Sequence, residues 1–143
     1  MAQVLLERML VARGAQQALR VRSGGIAPYA RDGMIPSHDT RLALREAGVD
    51  LAEDAFASTD LKMHRQLVAE ADLIVTMTAA QKEAVSGLGE ARGRPVRTLR
   101  ELAGEDGDID DPFGGGPGRY RDCRDEIARC LAKSLDALLG ASS

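Results

Sequence analysis

Tryptophan is absent from this chain of 143 residues, and aromatic rings occur only at Tyr29, Phe56, Phe113 and Tyr120. The core must therefore be aliphatic, and a ring at an unusual place invites a functional question. Cysteine is almost as scarce. Cys123 and Cys130 lie seven positions apart in a helix-like segment. They exclude a disulfide framework and point to a reducing cytoplasm. Basic blocks are missing, and the net charge of −3 gives no support to nucleic-acid binding. No apolar run approaches the length of a membrane span. Glu7 and Arg8 interrupt the first residues, so no secretory leader is expected. What is present is 44% hydrophobic and 29% charged, the balance of a soluble globular protein. The length fits a single domain spanning 1–143, with a core large enough to need no staples.

Periodicity predicts helices alternating with strands. Residues 2–13 read as a helix with Leu5, Leu6, Met9 and Leu10 on one side. Leu19-Arg20-Val21-Arg22 alternates and stops at Ser23-Gly24-Gly25, so it reads as a short strand entering a tight turn. Ser37 can cap a helix through Ala47, with Gly48 at its end. Residues 55–58 are at best a short extended piece. Thr59 opens another helix, with Leu61, Leu67, Val68 and Ala71 as its apolar positions. The run Leu73-Ile74-Val75-Thr76-Met77 is nearly all apolar, which suits a strand covered on both faces of a parallel sheet. Thr78 and Gln81 form a capping box for a helix ending near Gly87. Residues 96–99 offer one more short strand, and 104–118 are rich in Asp and Gly. In the last helix, 119–139, Tyr120, Cys123, Ile127, Leu131, Leu135 and Leu138 recur at spacings of three and four and mark one buried face. This order implies an α/β fold, a three-layer αβα arrangement around a short parallel sheet. The chain opens with a helix, where such folds usually open with a buried strand.

The most distinctive segment is Asp108-Ile109-Asp110-Asp111-Pro112-Phe113-Gly114-Gly115. An Asp directly before Pro is held out of the helical region by the proline ring. The glycines behind it permit a loop that approaches a ligand closely. An aspartate on such a loop is a candidate proton donor to a leaving group. The plainer reading is an acidic surface loop. Asp-Pro-Phe-Gly-Gly followed by a long C-terminal helix resembles the signature of the low molecular weight phosphotyrosine protein phosphatase family. Ser23-Gly24-Gly25 resembles that family's serine-bearing turn, residues 36–48 its next helix, and residues 70–77 its third strand. Met1-Ala2-Gln3 resembles the start of the helix after its catalytic loop. Thr76-Met77-Thr78 and Phe113 resemble the bacterial protein-arginine phosphatase branch.

The resemblance implies a mechanism. In the family a C-x5-R-S/T loop wraps phosphate with backbone N–H groups at a helix N-terminus. Those groups lower the cysteine pKa and hold the transition-state charge. The cysteine forms a phosphocysteine, and an aspartate protonates the leaving group and then acts as base for water. By this resemblance Asp111 is the general acid and base, Phe113 lines the pocket mouth, and Ser23 helps set the loop's hydrogen bonds. No metal or cofactor is implied, and the partner is a phosphorylated protein. Two departures qualify this. The family's first, central strand and its C-x5-R-S/T loop are not among these residues, because Met1 falls where the loop should already have ended. A start site placed too far downstream, or a trimmed chain, accounts for that. Glu53 stands where many members carry a supporting histidine.

Cys123 and Arg129 match C-x5-R formally, but Arg-Asp-Glu-Ile-Ala between them has no glycine and follows helical periodicity. Helical N–H groups there are used internally, so both cysteines are read as apolar, partly buried helix residues. His38 and His64 are read as solvated or capping residues on helices. The family's arsenate-reducing branch needs extra mid-chain cysteines, and none occurs. The expectation is a protein phosphatase acting on phosphoarginine or phosphotyrosine, inactive in the 143 residues as they stand. The alternatives are a non-catalytic phosphatase-like binding domain and an unrelated structural module. Loss of the central strand exposes apolar edges, through which a homodimer can form.

Overall fold

The computed structural model describes residues 1–51 and 57–141. Helix α1, Ala2–Ala12, buries Leu5, Leu6 and Leu10. Helix α2, His38–Glu46, starts where the Ser37 hydroxyl accepts the Thr40 N–H, and it buries Ala43 and Leu44. A short helix α3, Gln66–Ala69, precedes strand β1, Ile74–Thr76. Helix α4, Ala79–Ser86, carries the expected Thr78/Gln81 capping box. Strand β2, Val96–Thr98, leads directly into helix α5, Leu99–Leu102. Helix α6, Gly116–Ala141, closes the chain over 26 residues.

β1 and β2 pair in parallel, with Ile74 opposite Val96 and Thr76 opposite Thr98. Successive strand residues point to opposite faces. Val75 accordingly packs on the main core with Leu5, Leu10, Leu44, Leu99, Ile127, Cys130 and Leu131, while Ile74 packs on a smaller core of Val68, Val85 and Ala91. The sheet thus has helices on both sides. Leu44 and Leu99 have no exposed area at all, and complete burial of such a side chain is worth about 1.5–3 kcal/mol. Among the described residues no helix is long and apolar enough to cross a membrane.

Both strands end in threonine, and both thread straight into capped helices. Thr98 accepts the Glu101 N–H while Glu101 reaches back to the Thr98 N–H, a second capping box. The parallel register places the two caps side by side at the carboxyl end of the sheet, and Lys82 of α4 bridges to Glu101 of α5 at 2.9 Å. In open α/β sheets ligands gather at this end.

Three expectations need correction. Residues 19–22 do not join a ladder. Their region contributes only an isolated parallel bridge, Gly25 with Asp60, and the sheet among the described residues has two strands. An extended segment becomes a strand only with a partner, and Val21 instead gives its carbonyl to the Gln3 side chain. The helix expected from Thr59 shrinks to α3. Thr59 and Leu61 pair with Gly25 through their backbones, and the Asp60 carboxylate accepts the Lys62 N–H, so a turn replaces the first helical turns. His64 therefore lies off the helix. Gly24 allows this approach, because a Cβ there would come within 2.6 Å of the Leu61 side chain. Finally, α6 starts at Gly116, before residue 119. Of the extended piece expected at 55–58, the first two residues lie outside the described residues, and the rest is irregular.

An ion cluster ties the end of α5 to α6. Glu105 accepts from Arg129 at 2.6 Å and from Lys133 at 2.8 Å, and Glu126 meets Arg100 at 2.8 Å. Hydrogen bonds from Arg129 and then Lys133 hold the Glu105 carboxyl at about 2. Because this folded value lies below the unfolded one, the stability it contributes is present above about pH 5 and is lost as pH falls toward 2. Urea unfolding should therefore show Glu105→Gln less stable than the native sequence at pH 7, with the gap narrowing at pH 3 and nearly closed at pH 2. A gap independent of pH over that range would show that Glu105 is not ion-paired.

Candidate active site

The acidic loop between α5 and α6 is fastened at its middle and open at its tip. Ile109 is buried, and its N–H donates to the Met77 carbonyl at 2.9 Å, just past β1. The Asp108 carboxylate accepts the Ala79 N–H at the start of α4, 2.9 Å away. Beyond Ile109 the chain turns outward. The Asp111 carboxylate accepts the Phe113 N–H at 3.0 Å, a local turn that steadies it. Gly115 makes the next turn, since a Cβ there would lie 2.5 Å from the Arg119 side chain. The Phe113 ring is 84% exposed.

The loop tip meets the beginnings of α6 and α1. The Cys123 thiol lies 3.8 Å from the Asp110 carbonyl. Burial, and then the charge of Asp111, push that thiol up from its ordinary pKa, while the Met1 amino group acts in the opposite direction. Asp111 and the Met1 amino group thus each act on the Cys123 thiol. The Met1 amino group is itself pulled down by burial. On the other flank of the same helix start, the Ser23 hydroxyl donates to Gln3 Oε1 at 2.6 Å, and Gln3 Nε2 donates to the Val21 carbonyl at 3.3 Å. A hollow of about 310 Å³ opens there, lined by Gln3, Arg22, Ser23, Ala57, Thr59 and Leu67. The first N–H groups of α1 have no intrahelical acceptors, and no side chain caps them. The structure therefore joins Ser23 to the opening turn of α1 through Gln3, whereas Asp111 bears on Cys123 near the start of α6. Phe113 belongs to the same loop but points to solvent.

The formal C-x5-R pair does not form a cradle. Cys123 and Arg129 both sit within α6, and Arg129 turns to Glu105 and Glu126. Those bonds, with Glu105 first, raise the guanidinium pKa further. Glu105, Glu126 and Cys130 place ligand atoms within 4.8 Å of one another. Arg100, Arg129 and Lys133 already occupy these carboxylates, so a cation has no claim on them. His64 Nε2 pairs with Asp32 at 2.7 Å, fastening residues 32 and 64 to each other. His38 opens α2. Glu53 lies outside the described residues. Gln3 and Asp108, which join the predicted residues to their surroundings, carry no mark in the sequence. Their partners are 18, 20 and 29 positions away.

Cys123 reports on this arrangement. Asp111→Asn removes the charge that opposes its thiolate, so alkylation of Cys123 by iodoacetamide at pH 8 should rise about threefold, as loss of one partly screened charge allows. Cys130, which has no exposed area, is the internal reference and should remain slow. Residue-resolved mass spectrometry checks both. An unchanged Cys123 rate would show that the two groups do not interact.

Comparison with known proteins shows the family. The family model for low molecular weight phosphotyrosine protein phosphatase matches residues 1–141. The protein-arginine-phosphatase of Bacillus subtilis (strain 168) is 31% identical, covering 94% of this chain and 87% of that protein. The protein-arginine-phosphatase of Geobacillus stearothermophilus is 31% identical over 84% of this chain and 77% of its own length. The solved YwlE arginine phosphatase from Geobacillus stearothermophilus superimposes with a TM-score of 0.81 at 30% identity, covering 97% of this chain and 83% of that structure. A family model that spans nearly the whole chain, joined by relatives of this identity, makes the chain a member of the low molecular weight phosphotyrosine protein phosphatase family.

Proposed function

We propose that this single domain, 1–143, is the scaffold of a phosphoarginine-directed protein phosphatase of the reducing cytoplasm, with phosphotyrosine as the second substrate chemistry, and that Asp111 is its proton donor. The observation that carries this is the loop fastened to β1 and α4 that sets the Asp111 charge against Cys123, the thiol that the Met1 amino group also influences. Phosphoarginine is favoured because both of these relatives are protein-arginine-phosphatases. In hydrolysis the P–N or P–O bond breaks as a thiolate attacks phosphorus. The departing guanidine nitrogen or phenolate oxygen takes a proton from Asp111, and Asp111 then removes one from the water that cleaves the phosphocysteine. Phe113 offers a ring at the mouth, and Ser23 steadies the first turn of α1 through Gln3. No metal or cofactor enters this scheme.

The nucleophile is the missing part. The 143 residues contain no C-x5-R-S/T segment. Cys123 cannot replace it, because burial and Asp111 hold its thiol protonated. The chain by itself should therefore release no product from an aryl phosphate or from a phosphoarginine-bearing protein. Turnover above an Asp111→Ala control refutes that expectation. Joined at its N-terminus to a strand and a C-x5-R-S/T loop, the same chain should hydrolyse phosphoarginine, and Asp111→Asn should then lower kcat by about 10²–10⁴. Failure of the extended, folded chain to turn over either substrate would refute the phosphatase reading.

A second reading, a phosphatase-like domain that binds without catalysis, is favoured by one observation. Residues 19–24 join no ladder, and β1 has a paired neighbour on one side only among the described residues. Open edges of this kind pair with other chains. We therefore expect concentration-dependent dimers by light scattering. A monomer at all concentrations up to the solubility limit speaks against a docking edge.

A further inference from the structure

Four acidic residues, Asp106, Asp108, Asp110 and Asp111, crowd the loop before α6. Among the described residues only two of their carboxylates accept a hydrogen bond. Asp111 serves the adjacent Phe113 N–H, whereas Asp108 reaches across 29 positions to the Ala79 N–H at the start of α4. That donor is one the capping box leaves unserved, since Thr78 takes the Gln81 N–H and Gln81 takes those of Met77 and Thr78. A carboxylate at a helix N-terminus also gains from the helix dipole. The Asp108 carbonyl is held as well, by Arg100 Nε at 3.1 Å, and Arg100 is itself anchored to Glu126 of α6. Ile109 completes the fastening through its N–H bond to Met77 and its buried side chain.

We propose that Asp108 is a positioning residue: seated on the opening turn of α4, its carboxylate sets where the Asp111 carboxylate stands relative to Cys123. A proton donor works only within hydrogen-bond reach of the leaving atom, and a displacement of about 1 Å is enough to lose much of its effect. The residues after Ile109 have no anchor of their own except the local Asp111 turn and the Cys123 contact with Asp110. Asp111 therefore lies three positions beyond Asp108 and two beyond Ile109. The assignment rests on Asp111 as the proton donor, but its test does not read turnover.

Cys123 supplies the readout in the full chain, because loosening the loop withdraws both the Asp111 charge and the packing of Asp110 from the thiol. Asp108→Ala should raise Cys123 alkylation at pH 8 about threefold and move its pH midpoint downward. Asp108→Asn keeps an acceptor oxygen for Ala79 and should restore the native profile. With Asp111→Asn already in place, Asp108→Ala should add less than its effect alone, because the two act on one group. A merely structural role would lower the unfolding midpoint and leave the Cys123 profile in place. An unaltered profile, or full additivity with Asp111→Asn, overturns the proposal. Hydrogen exchange on the native sequence needs no variant: the Ala79 and Ile109 amides should exchange at least about tenfold more slowly than those of Asp110 and Asp111. Equal rates overturn it too. A chain bearing a grafted cradle that fails to hydrolyse substrate would refute the phosphatase reading and leave these measurements untouched, so the two failures are distinct.

Discussion

The apolar stripe of α6 is the constraint that sets every other position in this protein. Ile127, Cys130, Leu131 and Leu138 face α1, α2 and α5, and Leu5, Leu10, Leu44 and Leu99 pack against them. Ser134 lies on the same buried face, satisfied by the Cys130 carbonyl at 2.7 Å. A close-packed seam of this kind resists sliding, because a one-residue shift would bury a charged residue. With the seam fixed, the first turns of α6 have one place to go. Tyr120 is buried and Cys123 is set against Asp110. The same seam holds α1 with its first turn directed at that spot. The neighbourhood of Met1, Asp111 and Cys123 is thus an outcome of core packing.

Charge divides the molecule into two regions with different chemistry. At the α5–α6 junction the carboxylates of Glu105 and Glu126 are matched by Arg100, Arg129 and Lys133. A carboxyl held at about 2, as Glu105 is, carries no proton to give at neutral pH. The loop tip is arranged otherwise. Asp111 has no cationic partner among the described residues, and its one acceptor bond is to a backbone N–H. Its negative charge instead bears on a neighbouring thiol, which it helps keep protonated. Glu105 is thus committed to structure, whereas Asp111 is tied only to its own loop.

Much of the fold was readable because its signals are local. The Ser37 cap, the Thr78/Gln81 box, the apolar run through β1 and the stripe of α6 are each decided within a few residues, and each element formed. Where the reading failed, distant pairing had overruled local preference. The apolar positions Leu61, Leu67, Val68 and Ala71 predict a helix opened by Thr59, yet the backbone of Thr59 and Leu61 is taken up by Gly25. Residues 19–22 have the alternation of a strand and no ladder to join. Alternation states which face is apolar, but it does not supply a neighbour.

The site shows the same limit more sharply. Asp111 could be singled out because Asp-Pro with trailing glycines has a local conformational meaning. Asp108 has no such mark, since its partner is defined only once β1 and α4 are in place. Cys123 and Arg129 make the converse case. Their spacing satisfies a catalytic formula, yet the same spacing along α6 sends the arginine to Glu105 and the thiol to Asp110. A phosphate cradle needs consecutive N–H groups turned inward, and inside a helix those groups are already bonded. Spacing identifies a site only together with the backbone conformation that aims the residues. In this protein the first turn of α1 carries no side-chain cap, whereas the turns of α6 that hold Cys123 and Arg129 are already bonded within the helix.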